Sequence, residues 1–393
     1  MKTVSSSTDE SRVHQSMTSA ATYIFAGGGT GGHLFPGIAV AHQLLADDPG
    51  SRIVFVGSTR AIESMIVSEH HFEHQVLPVE PSTTLKRNPF RFLWQNGRAC
   101  RQASRLLLEL QPTAVIGLGG FASAPLVWAA SRLKIPVVLL EQNVIPGRTT
   151  RWLCRFANRV CISFEQSRLR LRATSDVVMT GNAVREQIAV LYDRAAPLSA
   201  DLTSRTIRLL ILGGSQGAES LNDAVVSAIR QLKGDRILWK IAHQSGPRQA
   251  AQIAEAYREL GISAVVEPFF RDMPGEYANA DWIISRAGAT TLAELACAGL
   301  PMILLPYPQS ADDHQRANAQ VFVDQGAAMM VEHVEPKEDT AANLARAMAA
   351  LAADPDRRRK MGWAARALAR PKAARNIADA ILQTVNDTHR SKR

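Results

Sequence analysis

The chain has 393 residues, 46% of them hydrophobic and 21% charged, a balance that suits one large or two medium folded domains and excludes a disordered, collagen-like or coiled-coil chain. Lys and Arg number 45 against 36 Asp and Glu, a formal charge of +9, so the surface should attract phosphate, whether in nucleic acid, lipid headgroups or nucleotides. The four cysteines, Cys100, Cys154, Cys161 and Cys297, stand far apart with no Cys-x-x-Cys pair, which reads as reduced thiols and argues against a zinc or dithiol centre.

Residues 1–20 hold no apolar run of the kind a secretory signal needs and read as a disordered leader, with Met17 as an alternative start. From Ala21 onward short apolar runs alternate with helical patterns: TYIFA (22–26), RIVFVG (52–57), TAVIGL (113–118), PVVLLE (136–141) and RVCIS (159–163). Continuous apolar strands between amphipathic helices predict a parallel sheet covered on both faces. Residues 111–131 carry no charge and match the ~20 residues that cross a bilayer. Gly117, Gly119, Gly120 and Pro125 divide them instead into strand, turn and helix. A second series follows with IRLLIL (207–212), ILWKIA (237–242), AVVEP (264–268), DWIIS (281–285) and PMILLP (301–306). The chain therefore reads as two similar α/β halves, with a hinge expected in the polar stretch after Gly181. Residues 356–393 hold 11 Lys or Arg and 3 Asp, either a solvated basic helix or an anion-binding surface.

Three strands run into glycine turns that open helices, at residues 27–32, 117–120 and 213–217. Such turns bring main-chain N–H groups and the positive end of a helix up to an anion. Gly27, Gly29 and Gly32 satisfy G-x-G-x-x-G, but the second strand ends Val56-Gly57-Ser58 without the acidic residue that a dinucleotide site requires. No loop ends in Gly-Lys-Ser/Thr, which excludes a kinase-type P-loop. His33 follows the first loop, where a neutral imidazole could act as general base or simply cap the loop. Glu294, inside the helix of SRAGATTLAELACAGLPMILLP, could accept both hydroxyls of a ribose or only balance the helix dipole. Asp313, His314, Gln315 and Asn318 form a polar group suited to a sugar. Residues 85–105 carry six cations, no acid and the cluster Phe90, Phe92, Leu93 and Trp94, a composition shared by helices that lie in a headgroup layer and by ordinary core-facing ones.

The motifs GGGTGGHLFPGIAVA, GLGGFAS, LEQNVIPGRTTRWL, GNAVR, LGGSQGA, HQSG, SRAGATTLAELACAGLPMILLPYP and HQRANA occur in order across about residues 22–384. Together they resemble the MurG family of bacterial peptidoglycan glycosyltransferases. The resemblance implies a GT-B architecture: a Rossmann-like acceptor and membrane-binding domain over 21–183, a Rossmann-like donor domain over 184–372, and a last helix, about 373–387, returning to the first. It implies transfer of GlcNAc, with inversion, from UDP-GlcNAc to the C4 hydroxyl of the MurNAc in lipid I, giving lipid II. The location implied is peripheral, on the cytoplasmic side of the inner membrane. Partners would be an anionic membrane surface and other cell-wall synthesis proteins, and no nucleic acid.

By the same resemblance Ser215 and Gln216 would lie at the donor diphosphate, Glu294 on the ribose, main chain of Phe270 on the uracil, and Ala289 and Gln315 on the GlcNAc. Thr30, Gly31, Gly32, Asn143 and Arg185 would complete the donor side of the cleft. Gly28, Gly29, Gly119, Gly120 and Ser123 would take the acceptor pyrophosphate, and His33 would be the catalytic base, with Asn143 also facing the reaction centre. An inverting displacement needs a base for the acceptor hydroxyl and a positive field for the departing diphosphate. A helix dipole and Arg185 would supply that field, so no metal or other cofactor is expected. The only D-x-D, Asp354-Pro355-Asp356, follows an alanine-rich helix and not a strand. Two departures stand out: Phe121 where many relatives carry Tyr, and VEPSTTLKRNP in place of the usual glycine- and arginine-rich loop. The nearest rivals are a GT-B transferase for another lipid acceptor, such as a diacylglycerol galactosyltransferase, and a nucleic-acid-binding protein, for which no module is recognisable.

Overall fold

The computed structural model describes residues 20–29, 31–80, 84, 88–171, 176–194, 206–214, 218–232 and 238–390. Of the expected features, nearly all of the leader with Met17, and Thr30, Ser215 and Gln216 of the site, lie outside the described residues.

Two separate parallel sheets form. The first comprises β1 (Thr22–Gly27), β2 (Arg52–Gly57), β3 (Glu73–Val76), β4 (Ala114–Gly119), β5 (Val137–Glu141), β6 (Arg159–Ile162) and β7 (Asp176–Met179), in the order β3-β2-β1-β4-β5-β6-β7. The second comprises β8 (Thr206–Leu212), β9 (Leu238–Gln244), β10 (Ser263–Glu267), β11 (Trp282–Ser285), β12 (Met302–Leu304) and β13 (Ala328–Met330), in the order β10-β9-β8-β11-β12-β13. Ten of these strands lie on the ten apolar runs of the sequence. The other three, β3, β7 and β13, are edge strands of three or four residues. An edge strand is covered on fewer sides, so its residues need not be apolar, and EHQV carries no apolar signal.

The helices of the first lobe are α1 (Gly31–Asp47), α2 (Ala61–Glu69), α3 (Pro89–Leu110), α4 (Ala124–Arg132) and α5 (Arg148–Leu153). In the second lobe they are α6 (Glu186–Ala189), α7 (Leu191–Arg194), α8 (Glu219–Gln231), α9 (Ala250–Glu259), α10 (Met273–Asn279), α11 (Ala289–Ala298), α12 (His314–Asp324), α13 (Lys337–Ala353) and α14 (Pro355–Leu368). A final helix, α15 (Ala373–Arg390), follows. The uncharged stretch resolves into β4, a 3-10 turn over Phe121–Ser123 and α4. Among the described residues no helix is long and apolar enough to cross a membrane.

Alternation along the strands sends successive side chains into two cores. Phe25, Phe55 and Ile116 enter one with α1, while Ile24, Val54 and Val115 enter the other with α3 and α4. Each such side chain, removed from water, contributes roughly 1.5–3 kcal/mol. The first of these cores is completed from the far end of the chain: Ile377, Ile381 and Val385, spaced one helical turn apart on α15, pack into it. Arg159 donates to the carbonyl of Ala380 at 3.1 Å, and Arg375 pairs with Asp47 at 2.6 Å. The chain therefore passes between the lobes twice, and the two passages touch at Gly181. That residue has φ +87°, and a Cβ there would sit 2.6 Å from the Cβ of Arg370, so only glycine fits.

In each sheet the strand order reverses beside the first strand, between β1 and β4 and between β8 and β11. Open α/β sheets bind ligands outside the carboxyl ends of their strands at such a reversal. The three glycine turns of the sequence stand at these two places.

Candidate active site

In the first lobe the two glycine loops lie backbone against backbone. Gly27 has φ +103°, and a Cβ on it would fall 2.4 Å from the carbonyl oxygen of Gly119; one on Gly120 would fall 3.1 Å from that of Gly28. The loops thus form one continuous rim of main chain, to which Gly28, Gly29, Gly119 and Gly120 all contribute. Ser123 is fully buried, and its hydroxyl donates to the carbonyl of Gly120 at 2.8 Å. It braces the second loop from inside.

His33, in the first turn of α1 after Gly31 and Gly32, packs its ring over that rim. A Cβ on Gly119 would lie 3.3 Å from His33 Cδ2 and 3.5 Å from Nε2. Burial, reinforced by the neighbouring His314, holds the imidazole down to about 4. It is therefore neutral near pH 7 and able to accept a proton.

In the second lobe Glu294 is buried inside α11. Arg185 Nη2 donates to its Oε1 at 3.1 Å, and the Tyr277 hydroxyl donates to its Oε2 at 2.8 Å. Burial pushes this carboxyl upward, against the opposing pull of Arg185 and Tyr277. Arg185 Nε donates to Oε1 as well, at 3.4 Å; a carboxylate offers about four acceptor positions, so one is left for a hydroxyl donor. Arg185 also lies over the Phe35 ring of α1, 5.2 Å from its centroid, and so reaches across to the first lobe. Ala289 opens α11. Gln315 Oε1 accepts from the main-chain N–H of Tyr307 at 2.9 Å. The N–H of Phe270 is already donated to Gln244 Oε1 at 3.0 Å, so a base could use only its carbonyl or ring.

A cavity of about 790 Å³ opens at the carboxyl ends of β8, β11, β12 and β13, lined in part by Gly213, Arg286, Tyr307, Gln315 and His333. Arg286 is fixed there by the carbonyl of Leu305 at 2.9 Å, the Ser220 hydroxyl at 2.7 Å and His333 Nε2 at 2.5 Å. Burial lowers its guanidinium to about 10. Among the described residues no three His, Cys, Asp or Glu side chains converge as metal ligands.

Direct contacts join the lobes beside His33. Thr290 of α11 donates its hydroxyl to the carbonyl of Gly32 at 2.8 Å. Asn318 of α12 accepts from the N–H of Val144 at 2.9 Å and donates to Asn143 Oδ1 at 3.0 Å. Asn143 is itself aimed by Glu141, buried at the end of β5, which accepts from the N–H groups of Asn143 at 2.9 Å and Gly147 at 3.0 Å. At the rim Asp312 receives Arg148 at 2.8 Å and Arg151 at 2.5 Å from α5. Sequence reasoning named Asn143 and Asn318 but missed Thr290, Glu141, Tyr277 and Asp312. Glu141 alone had a visible signal, a carboxylate closing an otherwise apolar strand.

Away from the cleft, α3 exposes Phe90 and Trp94, at 84% and 65%, with Arg98 stacked on Trp94. Arg91 is paired with Glu80 at 2.7 Å, which neutralises one cation of this segment. The side chains of Phe92 and Leu93 lie outside the described set.

Comparison with known proteins joins this geometry to a family. Residues 23–162 match the Glycosyltransferase family 28 N-terminal domain and residues 208–379 the Glycosyltransferase family 28 C-terminal domain. Proteins of Pelobacter propionicus and Trichlorobacter lovleyi, both named UDP-N-acetylglucosamine–N-acetylmuramyl-(pentapeptide) pyrophosphoryl-undecaprenol N-acetylglucosamine transferase, are each 39% identical; the alignments cover 92% of this chain and 99% and 98% of theirs. The crystal structure of MurG from Acinetobacter baumannii superposes with a TM-score of 0.75 at 30% identity, over 92% of this chain and 99% of that one. The chain belongs to the MurG family of glycosyltransferases. Its fold is GT-B. A UDP-GlcNAc 2-epimerase from Neisseria meningitidis, at 14% identity and a TM-score of 0.66 over 93% of this chain, shares the fold alone.

Proposed function

We infer that this MurG-family chain transfers GlcNAc from UDP-GlcNAc to the C4 hydroxyl of the MurNAc in lipid I, yielding lipid II. The observation that carries the reading is the neutral His33, set on a rim of acceptor-lobe main chain and touching the place where α11 of the other lobe makes contact. An acceptor diphosphate on the rim formed by Gly28, Gly29, Gly119 and Gly120 would present its sugar hydroxyl to His33. A donor diphosphate at the turn after β8, where Ser215 and Gln216 belong, would present the anomeric carbon. His33 takes the hydroxyl proton as the oxygen attacks, and the bond to UDP breaks. The N-terminus of α11 and Arg185 face the negative charge that leaves with UDP. Glu294, held by Arg185 and Tyr277, keeps an acceptor position for a ribose hydroxyl. No step requires a metal, so EDTA should leave the rate unchanged.

Transfer of radiolabelled sugar from UDP-GlcNAc to a short-chain lipid I analogue tests the reading. His33→Ala should lower kcat by ~10²–10⁴ while the affinity for UDP stays as in the wild type; near-normal turnover would remove His33 from the mechanism. We further propose that the protein is peripheral on the cytoplasmic face of the inner membrane, serving cell shape and division, and docks through α3. The exposed Phe90 and Trp94 among cations support this. Flotation with anionic vesicles should lose the Phe90→Asp, Trp94→Asp variant to the soluble fraction, and unchanged flotation refutes docking there.

A further inference from the structure

One cation touches both acceptor loops and has no part in the mechanism above. Arg60 precedes α2, in the turn after β2. Its Nη1 donates to the carbonyl of Gly29, in the first loop, at 2.8 Å. Its guanidinium carbon lies 5.7 Å from the ring centroid of Phe121, which directly follows Gly120 of the second loop. Arg60 is exposed, and among the described residues it makes no ion pair. Beneath the first loop sits the opposite charge. Glu63 is fully buried, its oxygens accept from the Ser58 N–H at 2.8 Å and hydroxyl at 2.6 Å, and its Oε2 would lie 3.3 Å from a Cβ on Gly28. A diphosphate settling on these loops meets a carboxylate just behind the main chain, and a cation above the rim is needed to offset it.

We propose that Arg60 binds the acceptor pyrophosphate, with Phe121 as the shelf that holds its guanidinium in place. A guanidinium carries five N–H donors in a planar fork suited to phosphate oxygens, and the bond to Gly29 uses one of them. The shelf requires an aromatic face and no hydroxyl, so Phe121 fills it as well as Tyr would. This assignment rests on the rim of Gly28, Gly29, Gly119 and Gly120 being the acceptor site.

The test uses the full chain and a short-chain prenyl diphosphate without sugar, titrated by calorimetry, beside kinetics with the lipid I analogue. Arg60→Ala should weaken prenyl diphosphate binding and raise the acceptor KM by roughly ten- to a hundredfold, as expected for charge-assisted hydrogen bonds, with UDP affinity within about twofold. Arg60→Lys should recover part of the loss, and Phe121→Ala should lose roughly two- to fivefold. Wild-type affinity in Arg60→Ala overturns the assignment. So does an equal loss of UDP affinity, which marks general damage, or a wild type that does not bind the prenyl diphosphate. If binding depends on Arg60 but no sugar reaches lipid I, the functional reading fails and this one stands; if sugar is transferred with unchanged acceptor KM in Arg60→Ala, only this one fails.

Discussion

His33 shows how one side chain acquires its chemistry from its surroundings. Its sequence position, directly after a glycine loop, marked it as a candidate base, but position alone leaves a histidine near 6.5 and half charged at mildly acid pH. Packing over Gly119 and beside His314 lowers it to about 4, and the sign of the consequence for stability follows. Between about 6.5 and 4 the unfolded chain takes up a proton that the folded site refuses, so stability is intact above that window and falls as pH drops through it. Replacing His33 with Gln should abolish about 1–2 kcal/mol of the loss between pH 7 and pH 5, measured by urea denaturation at both values; an identical pH dependence in variant and wild type contradicts the neutral state. Other partnerships at this scale were out of reach of the sequence. Glu294 and Arg185 were each named as candidate ligands of the donor, yet their ion pair joins residues 109 apart, and nothing local in GNAVR or AELACAG announces it. Arg60 and Asp312 were missed for the same reason: an exposed charge acquires a role only when another loop closes over it.

At the level of elements, periodicity carried most of the fold. Strands buried on both faces must be apolar throughout, so TYIFA, RIVFVG and IRLLIL declared themselves, whereas β3, β7 and β13 are short and lie at sheet edges, where polar side chains are tolerated. The glycine loops were legible as turns that open helices, but their mutual contact was not, since it depends on β1 and β4 being neighbours although about 90 residues apart in the chain. That contact makes a graded prediction. Gly27→Ala must both hold φ +103° and place a methyl 2.4 Å from Gly119 O, whereas on Gly29 the nearest atom would be the tip of Arg60 at 3.4 Å. Gly27→Ala should therefore yield unstable or inactive protein, and Gly29→Ala should lose only the ~1–2 kcal/mol of left-handed backbone strain. Thermal melts of the two variants check this, and equal midpoints count against the interlocked rim.

Considered whole, the molecule is two lobes clasped by few groups. The segment 143–151 of the first lobe grips α12 of the second through Asn318, and the 3-10 turn just before α12 (Ala311–Asp313) through Asp312. Because α12 also carries Gln315, the clasp would tie the spacing of the lobes to the position of a residue proposed to hold the donor. The outer pair of ion pairs is solvated, and such bridges add little to stability. Asp312→Asn should thus raise KM for both substrates by roughly two- to fivefold, with an unchanged melting midpoint and a larger radius of gyration in solution scattering, and added salt should weaken the wild type in the same direction. A variant with wild-type KM values and radius shows that the inner contacts alone hold the lobes.

The double passage of the chain at Gly181 has a further consequence, for biosynthesis. Strands β1 to β7 leave the ribosome long before Ile377, Ile381 and Val385 are made, yet those three complete the face of the first sheet. The second lobe, contiguous from α6 to α14, can mature while the earlier one still waits with an open apolar groove. Nascent chains should therefore protect their later half from protease first, and any stop codon upstream of α15 leaves the earlier half as a substrate for chaperones.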